Sequence, residues 1–179
     1  MEVWQIAESP YAPKFHVIAK PNDWAKAIKR AATEGELSET KILQFEFWSR
    51  FREFVQGRGR NIKLKKAHPK HWYNISFGFS TAHIALSINS KLKQVACEVY
   101  IPDSKQLFLD LSENKDSIEN ELSEKLDWNE LSSKKASRIK LASKGDIFEQ
   151  DQWLNYHSWM LEKVIDFQDV FSRYIKEVT

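Results

Sequence analysis

The sequence predicts an α+β domain: an antiparallel sheet, made of a three-strand meander plus two later strands, packed with helices and closed by a long C-terminal helix. Two patterns carry that prediction. Between Trp72 and Ile101, WYNISFGFSTAHIALSINSKLKQVACEVYI, apolar residues alternate strictly with small or polar ones in three successive runs. A period of two puts one set of side chains on a buried face and the other on the opposite face. On both sides of that stretch, apolar residues recur instead at steps of three and four, the helical period.

Residues 1–36 read as an extended arm or interdomain linker, and residues 37–179 as a single α+β domain. Pro10, Pro13 and Pro21 exclude regular helix over most of the arm. Val3, Trp4 and Ile6 resemble the end of a strand, and Asn22 or Asp23 could cap a short helix from Trp24 to about Ala32. Ser38 could cap a longer helix over residues 39–56, with Phe47, Trp48, Phe51, Phe54 and Val55 as its buried stripe and Gly57 and Gly59 at its end.

In the meander the buried faces must match, because a one-residue slip would turn every side chain over. The register that satisfies this pairs Phe77 with Ile84 across a Ser80-Thr81 turn, and Leu86 with Cys97 across the loop 90–93. Ser-Thr is a poor two-residue hairpin turn, since neither residue favours positive φ. The same register builds three rows on the other face: Gly78, His83 and Tyr100; Ser76, Ala85 and Glu98; Asn74, Ser87 and Ala96. Most of these residues are small, so something approaches this face closely, whether one of the chain's own helices, a ligand or a nucleic-acid backbone.

After the meander, Leu107, Phe108, Leu111, Ile118 and Leu122 mark one helical segment over residues 104–122. Leu126, Trp128 and Leu131 suggest a short strand, and residues 136–142 another, with Ile139 and Leu141 inward. The last helix spans residues 151–178, with Trp153, Tyr156, Met160, Val164, Phe167, Phe171, Tyr174 and Val178 as its stripe. Most of that stripe has to pack on the sheet, and any excess would suit a homodimer.

Composition narrows the function less than the fold. The formal charge of +2 points to no particular partner, and 42% apolar with 13% aromatic residues describes a chain that builds a core. The one cysteine, Cys97, excludes an internal disulfide framework. The first residues lack a signal pattern and no apolar run is long enough to span a bilayer, so a cytoplasmic location without membrane partners is expected.

Charge is unevenly placed along the chain. Residues 56–71 hold six Lys or Arg and no acid, and residues 134–144 hold five and no acid. Residues 103–130 carry nine Asp or Glu against three Lys, the pattern of a solvated helix face. If the two basic segments converge at one sheet edge, Arg58, Arg60, Lys63, Lys65, Lys66, Lys134, Lys135, Arg138 and Lys140 would form a phosphate-binding surface. The order helix, three strands, helix, strand is also that of a restriction-endonuclease core. Such a core needs an acid on its second strand and Asp/Glu-x-Lys on its third. Here HIALSIN has no acid, and Glu98-Val99-Tyr100 puts Tyr where Lys should be, so no catalytic residue is assigned. His68 and His71 are closely spaced but lack further ligand types nearby, so neither metal nor cofactor is expected.

HWYNISFG, the run ending in CEVYI, LDWNELSSKKASRIKL, and the arm WQIAESPYAPKFHVIAKPNDW resemble a bacterial and archaeal domain family of unknown function. That domain typically forms the C-terminal part of proteins whose N-terminal part is a restriction-endonuclease-like nuclease domain. The resemblance covers nearly the whole chain. It implies an accessory or recognition domain in a nuclease-like, defence-type protein, with an upstream nuclease-like domain as a partner. The functional expectation is therefore a non-catalytic accessory or nucleic-acid-recognition domain that meets DNA or RNA. Two alternatives stand beside it: an interaction or oligomerisation domain built on the C-terminal helix, and a small-ligand pocket on the small-residue face, holding His83, Glu98 and Tyr100.

Overall fold

A computed structural model of the chain describes residues 2–4, 12–14, 26, 30, 35, 38–58 and 62–178, the first two segments as backbone only. The chain divides into two compact units, Met1–Ser38 and Glu39–Thr179. In the first, strand β1 (Glu2–Trp4) pairs antiparallel with β2 (Ala12–Lys14), Trp4 opposite Ala12. Lys26 and Arg30 are helical. Apart from Gly35, the remainder of the arm, including Trp24, lies outside the described residues.

The second unit opens with helix α1 (Glu39–Gln56), whose Leu43, Phe47, Trp48, Phe51 and Val55 are buried. Strands β3 (Trp72–Ile75), β4 (His83–Asn89) and β5 (Gln94–Ile101) follow as an antiparallel meander. Leu86 faces Cys97 and Asn89 faces Gln94, as the alternation requires. The intervening turn is held by the Asn89 side chain, whose Oδ1 accepts from the backbone N–H groups of Lys91 and Leu92.

The first hairpin differs from the sequence reading. Ile75, not Phe77, lies opposite Ile84, and residues 76–82 form a loop instead of a Ser80-Thr81 turn. The shift is two residues, so every side chain keeps its face. Its cause is the turn: Ser-Thr cannot supply a tight hairpin, and Gly78, at φ 104°, takes the positive-φ position within a wider loop.

The segment 104–122 is also two helices rather than one, α2 (Lys105–Glu113) and α3 (Lys115–Leu122). They break at Asn114, whose side-chain amide donates to the carbonyl of Asp110 and competes with helical continuation. Ser104 caps α2 by accepting from Leu107 N–H. Strand β6 (Asp127–Asn129) and strand β7 (Ser137–Lys144) complete the sheet, in the order β3-β4-β5-β7-β6, all antiparallel. Lys105 ties α2 to the β6–β7 connection by donating to the carbonyls of Glu130 and Ala136.

A single 3₁₀ turn, Gln150–Gln152, leads into helix α4 (Trp153–Val178). Helices α2 and α4 lie on the sheet face that carries Ile84, Leu86, Cys97, Val99 and Ile139, and α1 and α3 pack on α4. Phe47 of α1 meets Trp153 and His157 of α4 edge-on, Phe51 meets His157, and Trp48 stacks on Tyr73 of β3. On α4, Met160, Val164, Phe167, Phe171 and Ile175 are fully buried, so the apolar stripe of this helix is enclosed within its own domain. Tyr174 is half-buried and Val178 exposed at its end.

Candidate functional site: the open face of the sheet

The face opposite the helices carries the small and polar residues of the alternation. Cross-strand register sets His83 beside Tyr100 and Tyr100 beside Arg138. The next row holds Asn74, Ala85, Glu98 and Lys140, and the next Trp72, Ser87, Ala96 and Ala142. The two-residue shift of β3 thus replaces Ser76 with Asn74 and Asn74 with Trp72. It also leaves His83 and Tyr100 with no β3 residue beside them, where Gly78 is expected from sequence. At this place a cleft of about 340 Å³ opens, lined by His71, Trp72, Asn74, His83, Ala85, Glu98, Tyr100 and Arg138. That volume lies in the range of small-molecule and nucleotide sites. Among the described residues no helix contributes to its lining.

The cleft joins aromatic rings to cations. The His83 and Tyr100 rings lie 5.1 Å apart, and the Arg138 guanidinium stands 5.3 Å from the Tyr100 ring centre. His71 meets Trp72 edge-on at 4.6 Å, with the Lys70 ammonium 4.9 Å from the Trp72 ring. Trp72 is 40% exposed, an uncommon position for the largest apolar side chain. Burial, with the Lys65 charge added, lowers the pKa of His83; burial, Lys41 and Arg138 lower that of His71. Both imidazoles are therefore neutral at neutral pH and present one donor and one acceptor each.

Glu98 is the buried acid of this face, only 5% exposed. Its nearest charged partner, Arg138, stands at 3.8 Å, beyond hydrogen-bond length, and among the described residues no hydrogen bond reaches the carboxylate. Burial raises its pKa, opposed by the charges of Arg138 and Lys140. Among the described residues no group of three His, Cys, Asp or Glu side chains is arranged to hold a metal ion.

His83, Glu98 and Tyr100 thus stand together in one cleft. The basic residues are more dispersed. The sheet order puts β3 at one edge and β7 one strand in from the other, so the two basic segments do not share an edge. They flank the open face from its two sides. Arg138 lines the cleft, Lys140 lies in the row of Glu98, and Lys65 is near enough to act on His83. Lys63 and Lys66 are exposed in the same segment as Lys65, whose carbonyl accepts from the Tyr73 hydroxyl. Lys134 and Lys135 sit in the β6–β7 connection, Lys135 paired with Asp103 at 3.3 Å. Arg58 lies over the Phe54 ring at the end of α1, and Arg60 is outside the described residues. His71 and Trp72 are the cleft's additional members. The dense aromatic and basic run HPKHWYN is the signal in the sequence that marks them.

A second depression, lined by Lys93, Asp146, Glu149 and Tyr156 among others, is internally paired. Asp146 pairs with Lys93 at 3.1 Å and accepts from Phe148 N–H, and the Tyr156 hydroxyl donates to Glu149. No helix among the described residues is long and apolar enough to cross a membrane.

Compared with known proteins, the chain finds no match among curated proteins and none among solved structures. A family model does match, over residues 43–175, which spans the helices, the whole five-stranded sheet and the cleft. The chain belongs to the family described as Domain of unknown function (DUF4268).

Proposed function

We propose that residues 39–179 form a non-catalytic recognition domain that binds single-stranded nucleic acid on the open face of the sheet. The observation that carries this reading is the pairing, in one cleft, of exposed or half-exposed aromatic rings with cations from both sides of the sheet. Trp72 and Tyr100 offer π-faces, while Lys65, Lys70, Arg138 and Lys140 surround them with positive charge. Strand-binding surfaces combine these two elements: cations follow the backbone and aromatics stack on the bases. Ser87 and Ala142, small and accessible, keep this face low enough for a flat ring to approach. The domain would act beside a nuclease-like catalytic domain of a defence-type protein, in keeping with the sequence resemblance. Chemistry within this chain is disfavoured because the β5 triplet is Glu98-Val99-Tyr100, without the lysine that such nucleases use.

Fluorescence anisotropy with labelled single-stranded DNA and RNA tests this. Affinity is expected to fall with salt, the log–log slope following roughly 0.7 per phosphate neutralised. Lys65→Glu with Lys66→Glu should weaken binding to all sequences about equally and flatten the slope. Absence of binding to both DNA and RNA at low salt would defeat the proposal and favour a protein-interaction role.

A further inference from the structure

We infer that Glu98 and Arg138 together read the base in this cleft, and that the base is guanine. The inference rests on the nucleic-acid reading above and names its ligand more closely. Glu98 is a largely buried residue whose carboxylate lines the cleft and receives no hydrogen bond from the described residues of the domain. The contrast with Glu119 on α3 makes this plain. Glu119 is buried to the same degree, 3% exposed, yet it accepts from Lys125 Nζ at 2.8 Å, Leu126 N–H at 3.0 Å and Trp128 Nε1–H at 3.0 Å. Glu98 has only Arg138, at 3.8 Å, and it faces an open cleft instead of a packed corner. A carboxylate is stabilised by donors, and the cleft is where a ligand could bring them to Glu98.

The surroundings select the donor. A cationic amine would meet Arg138 and Lys65, and Lys140 lies in the same row, so a neutral group is favoured. The flanking His83 and Tyr100 rings favour a planar one. Among the bases, only guanine presents two adjacent N–H donors, N1–H and N2–H, in the spacing a carboxylate accepts bidentately. Its O6 acceptor lies next to them, on the side an arginine would serve. Glu98 and Arg138, side by side on neighbouring strands, supply that acceptor and donor order. Cytosine and adenine offer the carboxylate a single amino group, and uracil a single imide N–H.

Titration of the full chain with the 5′-monophosphates of guanosine, inosine, cytidine, adenosine and uridine tests the assignment. Guanosine monophosphate is expected to bind about tenfold or more tightly than the adenosine and uridine compounds, the discrimination of a good bidentate contact. Inosine monophosphate, which lacks only the 2-amino group, should lose most of that advantage, and Glu98→Gln should reduce the preference to about twofold. Equal affinity for guanosine and inosine, or a preference for cytidine, overturns the guanine assignment even if oligonucleotides bind. If single-stranded oligonucleotides also fail to bind, both this inference and the strand-binding reading fall. The wild-type arms decide the question without relying on the variant's folding.

Discussion

Glu98 and Glu119 are nearly equally buried, and the regions around them differ in what they leave unsatisfied. At the corner of α3 and β6, three donors converge on Glu119, led by the Lys125 ammonium, and hold its pKa down to about 2. On the open sheet face, burial pushes Glu98 the other way. One carboxylate is held by three donors of the fold, while the other has only Arg138, at 3.8 Å, beside it. The difference extends to the two faces of the sheet. The helix-covered face is filled by residues such as Phe167, Phe171 and Ile139, all fully buried. The open face leaves Trp72, Tyr100 and Arg138 accessible. Residues that lower stability without local compensation are what a binding site is expected to contain.

The largest expected effect lies on the covered face. Phe171→Ala should cost about 3–5 kcal/mol in urea unfolding, by lost burial and a residual cavity. Tyr100→Ala, on the open face, should cost under about 1.5 kcal/mol while abolishing strand binding. Equal costs would erase the distinction between the faces.

Acid provides the second test. His157 sits among Phe47, Phe51 and Trp153, and burial lowers its pKa to about 4. The folded state therefore resists a proton that the unfolded chain takes up near pH 6.5. Its contribution is intact above pH 6.5 and is lost as pH falls towards 4, about 2–3 kcal/mol at pH 4.5. Comparing urea midpoints at pH 7 and pH 4.5 for the protein and for His157→Asn isolates this share. An equal acid loss in both would show that the histidine is not buried as a neutral ring.

The third test sets the two glutamates against each other. Glu119→Gln removes charge-assisted bonds to two donors of the protein interior and should cost about 2 kcal/mol. Glu98→Gln should be neutral or raise stability by up to about 1 kcal/mol, because a poorly paired buried charge disappears. Similar losses in both would mean that Glu98 is structural. The smallest effect belongs to Lys65 and Lys66, both exposed: reversing them to Glu should change stability by no more than about 0.5 kcal/mol, whatever it does to binding.

How much of this was legible beforehand can be argued from particular residues. The alternation in β4 and β5 fixes Leu86 opposite Cys97 and His83 opposite Tyr100, because only that pairing matches their buried faces. The Ser38 cap and the glycines after Gln56 give α1 its bounds, and periodicity gives α4 its buried stripe. His83, Glu98 and Tyr100 could be grouped for the same reason. The register of β3 could not be read this way, since shifts of two residues leave the faces unchanged and the turn decides between them. The break at Asn114 escaped too, because the apolar period runs through it while a local side-chain bond interrupts the backbone.

Sequence by itself determined the α+β class, the two faces of the sheet and the small-residue rows that line the candidate site, all of which follow from local periodicity. Tertiary structure decided that β3 stops short of His83, that β7 and not β6 adjoins β5, and that Arg138 thereby comes to stand beside Glu98. Strand order and loop length depend on contacts between distant residues, and no local pattern encodes which strand pairs with which. The cleft is the product of that pairing, and so is the placing of Glu98 next to Arg138 within it.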